Sequence, residues 1–279
     1  MQTQSRISGV LLIDKPASIT SFDVVREIKR AIPGCKIGHT GTLDPLATGL
    51  MILLLGAATK LADRFLKLDK VYSFTIRLGQ ETDTMDSTGT ILRERDYSGI
   101  TEEALREVAR TLRGDQTQHP PLFSAIKHRG RPLYTYARSG QTVEVKPRTV
   151  HIGELSIDGF SPPYADLTAK VSSGTYIRSL AKSIGDGIGC GAHVSALRRL
   201  SVGGFSIGQA YRLDHAARCF RQGPIDIVRA NVVLETGRPA MDLEFIVLSP
   251  SCGRAGPEQT VNLLRNNDTG YETNKLLKG

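Results

Sequence analysis

Apolar residues follow two alternating spacings along the chain, and each spacing names an element. Tyr72, Phe74, Ile76 and Leu78 alternate with Ser73, Thr75 and Arg77, the period of a strand with one buried face. Ile7 to Ile13 and Leu50 to Leu55 are unbroken apolar runs, as in buried strands. His151 to Ile157 and Ala165 to Val171 give two more strands. Val24, Val25, Ile28 and Ile32 instead share one face of a helix that Thr20 caps, with Asp23 in its first turn. Pro33-Gly34 stops it. The same spacing predicts helices at Thr59 to Leu68 (Leu61, Phe65, Leu68) and Thr101 to Arg113 (Leu105, Val108, Leu112). A fourth helix opens at Ser173 to Leu180, with Tyr176, Ile177, Leu180, Ala181 and Ile184 on its buried side. Alternate glycines 185, 187, 189 and 191 follow it. Val194, Leu197 and Leu200 predict a last short helix.

One stretch fits neither period. Gly38-His39-Thr40-Gly41-Thr42-Leu43-Asp44-Pro45-Leu46-Ala47-Thr48-Gly49 surrounds a single carboxylate with three glycines, three threonines and a proline. Glycine frees the backbone, and Pro45 drives Asp44 toward an extended conformation. The stretch is a shaped loop feeding the apolar run that follows. An Asp in such a setting is most often a turn residue accepting backbone hydrogen bonds.

Composition narrows the chemistry. The 279 residues suit one large domain, or a large one with a small one. The net charge of +8 points to an anionic partner such as nucleic acid. From Lys127 to Arg148, six basic residues (Lys127, Arg129, Arg131, Arg138, Lys146, Arg148) face only Glu144, with Tyr134 and Tyr136 among them. Such a segment is either a solvated loop or an arm that grips phosphates. No P-loop is present, and the alternate glycines follow a helix rather than a strand, so they are no dinucleotide fingerprint. The acidic loop Gln80 to Thr90 lacks calcium-site spacing and reads as structural. The four cysteines at 35, 190, 219 and 252 lack zinc-site spacing, and free thiols in a reducing compartment are expected. No signal peptide is visible, and the run from Leu50 to Ala58 is too short to span a bilayer. A cytoplasmic protein follows as the expectation.

The loop from Gly38 to Gly49 resembles the signature of the TruB family of RNA pseudouridine synthases over all twelve residues. Three further runs resemble the same family, in the same order. They are Leu12-Ile13-Asp14-Lys15-Pro16 with Thr20-Ser21, the segment from Pro120 to Arg138, and Gly174-Thr175-Tyr176-Ile177-Arg178. The resemblance covers roughly residues 8 to 205. It implies an α+β pseudouridine synthase fold, a central, mostly antiparallel mixed sheet flanked by helices. It implies Asp44 as the catalytic aspartate, Arg178 as the arginine that pairs with it, and Tyr72 as the tyrosine that stacks on the target base. Lys70 completes the family's Lys-x-Tyr. His39 would fill the space left by a flipped base, and Leu197, in the Leu-Arg-Arg run, would pack in the pocket. The basic segment about 119–148 becomes the RNA-binding insertion.

The implied activity is conversion of the T-loop uridine 55 of tRNA to pseudouridine. The expected enzyme is a stand-alone monomer with no cofactor, no metal, no membrane contact and no obligate protein partner. A guide-RNA-dependent relative of the H/ACA type differs after Asp-Pro, where this chain has Leu46-Ala47-Thr48-Gly49. A binding protein without catalysis is the other rival. Residues 1–210 are expected to form the catalytic domain. Residues 211–279, with nine Lys/Arg against eight Asp/Glu, are expected to form a reduced or divergent PUA-like accessory region. Its polar end, Asn266 to Gly279, is expected to be mobile.

Overall fold

The computed structural model describes residues 7–141, 143–222, 225–232, 241–248 and 273–274. The chain begins β1 (Gly9–Lys15), α1 (Ser21–Ala31), β2 (Ile37–His39), β3 (Thr48–Leu55) and α2 (Ala62–Leu66). It continues β4 (Lys70–Leu78), β5 (Gln80–Thr82), β6 (Ile91–Glu94), α3 (Glu102–Thr111), β7 (Gly114–Gln118), β8 (Lys127–His128), β9 (Arg131–Pro132) and α4 (Leu133–Arg138). Then come β10 (Arg148–Ser161), β11 (Tyr164–Val171), α5 (Ile177–Ile188), β12 (Ala192–Val202), β13 (Phe205–Ser206), β14 (Tyr211–Arg212) and α6 (Leu213–Gln222). The described part closes with β15 (Ile225–Val232), β16 (Met241–Leu248) and β17 (Thr273–Asn274). The expected mobile end, Asn266 to Gly279, lies outside the described residues apart from β17. Helices and a mixed, mostly antiparallel sheet make this the expected α+β architecture.

Two compact units divide the chain: 1–68 with 199–279, and 69–198. In the first, β1 runs antiparallel to β3, and β3 also takes β2. On its other side β1 lies parallel to β14 and β16. Val10, Leu12, Leu50, Ile52 and Leu54 project from the β1–β3 pair into one cluster with Phe65, Leu68, Val202 and Phe205. The unbroken apolar run of β3 is therefore buried on both faces, as its sequence demands. Thr20 and Asp23 form a reciprocal cap at the start of α1, and Val24, Val25 and Ile28 face inward.

The second unit is an antiparallel series β4–β11–β10–β7. β4 alternates buried and half-buried positions along its whole length, as the period of two requires. Helix α3, capped by Thr101, packs on β10 and α5.

Three expectations change. Val194, Leu197 and Leu200 lie on strand β12, not a helix, and Leu200 is only half-buried. Their spacing of three was a coincidence, because the buried face from 197 onward alternates Leu197 with Arg199, a charged residue that periodicity scores as surface. Gly185 and Gly187 stand inside α5 rather than after it. A Cβ on Gly185 would come within 2.1 Å of the Ala192 nitrogen, and one on Gly187 within 2.8 Å of Val108. The missing side chains let the helix sit against its neighbours, and Gly189 ends it in the left-handed conformation. The helix expected from Thr59 starts as a 3₁₀ turn (Gly56–Leu61) and becomes regular only at α2.

Gly185→Ala should therefore overpack α5 and lower stability by about 1–3 kcal/mol, read as a fall in urea midpoint with unchanged slope. Gly34→Ala tests a different cost, since nothing lies within 4 Å of its Cβ position and only its φ of +83° resists the change.

Candidate active site

Asp44 lies half-exposed in the loop between β2 and β3, and that loop is held from beneath by buried side chains of the first unit. Ser21 is doubly bonded to Leu43: its hydroxyl accepts from Leu43 N at 2.8 Å and donates to Leu43 O at 3.0 Å. Thr40 N donates to Ile52 O, and Ala47 N closes a turn onto Asp44 O at 3.0 Å. Lys15, fully buried, donates to Pro16 O, Ile19 O and Pro45 O at 2.8, 2.7 and 3.3 Å. Arg199, also buried, donates to Leu50 O at 2.7 Å and Gly41 O at 3.1 Å. Gly49 has a φ of +105°, and a Cβ there would strike the Arg199 carbonyl at 2.3 Å. The glycine is required by this close approach.

Two buried cations beside one carboxylate shape the local electrostatics. Burial lowers the Lys15 ammonium from its ordinary 10.5 to about 8, with Asp44 pulling it back up and Arg199 pushing it further down. Burial, with a smaller contribution from Arg199, also holds the His39 imidazole below its ordinary value. His39 is thus neutral at pH 7, and its Nδ1 accepts from Gly41 N at 3.4 Å.

The second unit carries the other expected residues. Tyr72 and Lys70 are buried on β4, Tyr72 opposite Ala169 of β11. Leu197 is buried on β12. Arg178 is the second residue of α5, a poor place for a cation beside the positive end of a helix. Its guanidinium turns inward and is buried. Nη1 donates to Thr84 O and Nη2 to Phe123 O, both at 2.8 Å, and Nε lies 3.7 Å from the Asp86 carboxylate. Asp86 is buried in the acidic loop and also accepts from Thr84 Oγ1, Thr88 N and Thr88 Oγ1.

The basic segment 119–148 folds as the β8–β9 hairpin followed by α4. Lys127, Arg129, Arg131, Arg138 and Lys146 are exposed, and none is ion-paired among the described residues. Arg138 stacks over the Tyr134 ring at 5.5 Å, and Tyr136 Oη donates to His128 O. Arg148 differs, since it is half-buried with its guanidinium over the Tyr176 ring.

Sequence reasoning missed Lys15, Ser21, Arg199 and Asp86. Lys15 and Arg199 stand in runs that drew notice for their neighbours, Pro16 and Leu197. Nothing in a lone lysine or arginine announces burial. Among the described residues no group of three or more His, Cys, Asp or Glu is placed to hold a metal ion. No helix among them is long and apolar enough to cross a membrane. Cys35, Cys190 and Cys219 are buried and in no disulfide among the described residues, and Cys252 lies outside them.

Residues 29–177 match the family model for the N-terminal domain of TruB family pseudouridylate synthases. Residues 178–222 match the model for the C-terminal domain of tRNA pseudouridylate synthase B. The chain is 45% identical over 210 residues to the tRNA pseudouridine synthase B of Bordetella avium, covering 75% of this chain and 86% of that protein. It is 43% identical over 214 residues to the namesake from Opitutus terrae, covering 77% and 89%. Among solved structures, a Cbf5-Nop10-Gar1 complex matches with a TM-score of 0.60 and 28% identity, over 76% of this chain and 54% of that one. An H/ACA RNP bound to a substrate RNA containing 2′-deoxyuridine matches with a TM-score of 0.58 and 25% identity, over 78% and 54%. The chain thus spans about half the length of these structural relatives.

Two changes test the buried charges. Lys15→Met takes the ammonium donor from Pro16 O and Ile19 O, while Pro45 O keeps Ser18 N at 2.9 Å, and should cost about 1–3 kcal/mol. The wild-type Lys15 sits near 8 when folded and about 10.4 when unfolded. The unfolded chain binds more protons between those values, so stability relative to Lys15→Met should rise as pH climbs through that window. Urea midpoints of both proteins at low and high pH check this, and a gap that narrows refutes it. Asp86→Ala removes a carboxylate 3.7 Å from the buried Arg178 guanidinium, and with it the acceptor of Thr84 and Thr88, and should cost about 1–3 kcal/mol in the same assay.

Proposed function

Since the chain belongs to the TruB family of pseudouridylate synthases, isomerases whose curated relatives are named for tRNA, we propose that it converts the T-loop uridine 55 of tRNA to pseudouridine with Asp44 as nucleophile. The observation that carries this reading is the loop itself. Its signature residues hold Asp44 half-exposed, on a backbone fixed by Ser21, Lys15 and Arg199. An ordinary aspartate is ionised at neutral pH, and its carboxylate can act as a nucleophile.

The reaction is an isomerisation. The bond from ribose C1′ to uracil N1 breaks, the base turns, and C1′ bonds to C5. The C5 proton leaves and N1 gains one, so atoms and electrons balance without a cofactor. The base must first leave its stack, at a cost of a few kcal/mol. In this reading Arg178 pairs with Asp44 and keeps it anionic where the bound RNA excludes water. Tyr72 stacks on the flipped base with Lys70 beside it, His39 fills the vacated space, and Leu197 packs against the pocket. Lys127, Arg129, Arg131, Arg138 and Lys146 grip the phosphates of the T-arm. Residues 1–210 act as the catalytic domain and 211–279 as a PUA-like accessory region. The protein works in the cytoplasm as a monomer without an obligate partner.

The structural likeness to a Cbf5-Nop10-Gar1 complex supports the guide-dependent alternative, in which the chain needs other proteins. One assay separates the two. The purified chain, given unmodified tRNA transcript and no cofactor, should form pseudouridine at the T-loop uridine within a single turnover. Tight, salt-sensitive binding without modification would favour the partner-dependent or binding-only reading. Asp44→Asn should bind the same tRNA with unchanged affinity and form no product. Product at the wild-type rate would remove Asp44 from the mechanism.

A further inference from the structure

The basic insertion leaves the sheet at a single rung. Gln118, the last residue of β7, lies directly opposite Arg148, the first of β10. Both residues turn to the same neighbour, Tyr176, two positions before Arg178. The Gln118 carboxamide accepts from Tyr176 N at 2.7 Å and donates to Tyr176 O at 3.0 Å. The Arg148 guanidinium lies 5.3 Å from the centroid of the Tyr176 ring, and its Nη1 donates to Gly174 O at 3.4 Å.

This arrangement solves a problem at the start of α5. Tyr176 is the N-cap residue of that helix, and no side chain of its own makes a cap bond. A helix start whose entry is not fixed can rotate or fray. Gln118, buried and bonded to both the N–H and the C=O of one residue, fixes that entry as a strand partner would. The residues that follow it continue the grip: Ser179 Oγ donates to His119 O at 3.0 Å, and Arg178 Nη2 donates to Phe123 O at 2.8 Å. Residues 118–123 and 176–179 are thus sewn together at four bonds. Past them the chain projects Lys127, Arg129, Arg131, Arg138 and Lys146 into solvent.

We propose that Gln118 and Arg148 are positioning residues for Arg178, clamping Tyr176 so that the root of the RNA-gripping arm and the arginine move as one piece. The inference rests on the role given to Arg178 above. It also reassigns Arg148, whose guanidinium is spent on the Tyr176 ring and Gly174 rather than held out for phosphate. The consequence is mechanical. RNA docked on the arm bears on the same residues that set the guanidinium, and misplacement of a catalytic group by about 1 Å can cost about 100-fold in rate.

The experiment measures single-turnover rate at saturating unmodified tRNA, tRNA affinity across a salt series, and melting temperature. Gln118→Ala should lose about tenfold or more in rate with affinity within about twofold. Gln118→Glu keeps the acceptor for Tyr176 N and should lose less. Arg148→Lys keeps the charge but not the planar stack. It should slow the reaction while leaving affinity and its salt slope unchanged; a phosphate contact would instead be rescued by lysine. In a Tyr176→Leu background, Arg148→Lys should cost less in rate than it does in the wild type, because the ring contact through which the two act is already gone.

Arg178→Lys runs as the control. If it keeps the wild-type rate, the reading of Arg178 fails. If it loses activity while Gln118→Ala and Arg148→Lys keep theirs, the clamp is overturned. Falls in rate, affinity and melting temperature that track one another would also overturn it, since a merely structural pair moves all three. Should Gln118→Ala fail to fold, the half-exposed Arg148→Lys carries the decision alone.

Discussion

The loop around Asp44 is possible because its carbonyls have buried donors. A stretch of twelve residues with three glycines and a proline cannot satisfy its own backbone, and every buried carbonyl left without a partner costs free energy. Lys15 and Arg199 supply those donors from two different strands. Each is a long side chain with several N–H groups, so one residue closes several carbonyls at once. The cost is desolvation of two cations, visible in the lowered pKa of Lys15. Asp44 offsets part of it. The anion proposed above as the nucleophile therefore helps the loop to exist.

The second unit repeats this logic with a different geometry. Arg178 is also a buried cation capping carbonyls, those of Thr84 and Phe123, and it also faces a carboxylate, Asp86. Asp86 is in turn held by the hydroxyls and amide of its own loop. A guanidinium suits the place because its planar donors point in fixed directions. The acidic loop, which could be mistaken for a metal site, spends this carboxylate on threonines and an arginine.

Much of the fold was legible. The period-two run of β4, the apolar run of β3 and the capped stripe of α1 all lie where spacing put them. The failures share one cause. Leu197 and its neighbours were read as helix because Arg199 was counted as surface, and in the strand it is one of the largest fully buried side chains. Gly185 and Gly187 were read as the end of a helix because glycine disfavours helix interiors. Their tolerance depends on Ala192 and Val108, which approach from elsewhere in the chain.

The sequence by itself determined the family, the signature loop around Asp44 and the character of the basic arm, because those rest on residues adjacent in the chain. Composition also pointed to a partner of opposite charge. Only the tertiary structure decided which charged residues are buried: Lys15 under the loop, Arg199 beside it, and Asp86 facing Arg178. Only it placed Gln118 and Arg148 on one rung against Tyr176. Burial of a charge depends on donors and acceptors brought from distant segments, and local sequence spacing carries no record of them.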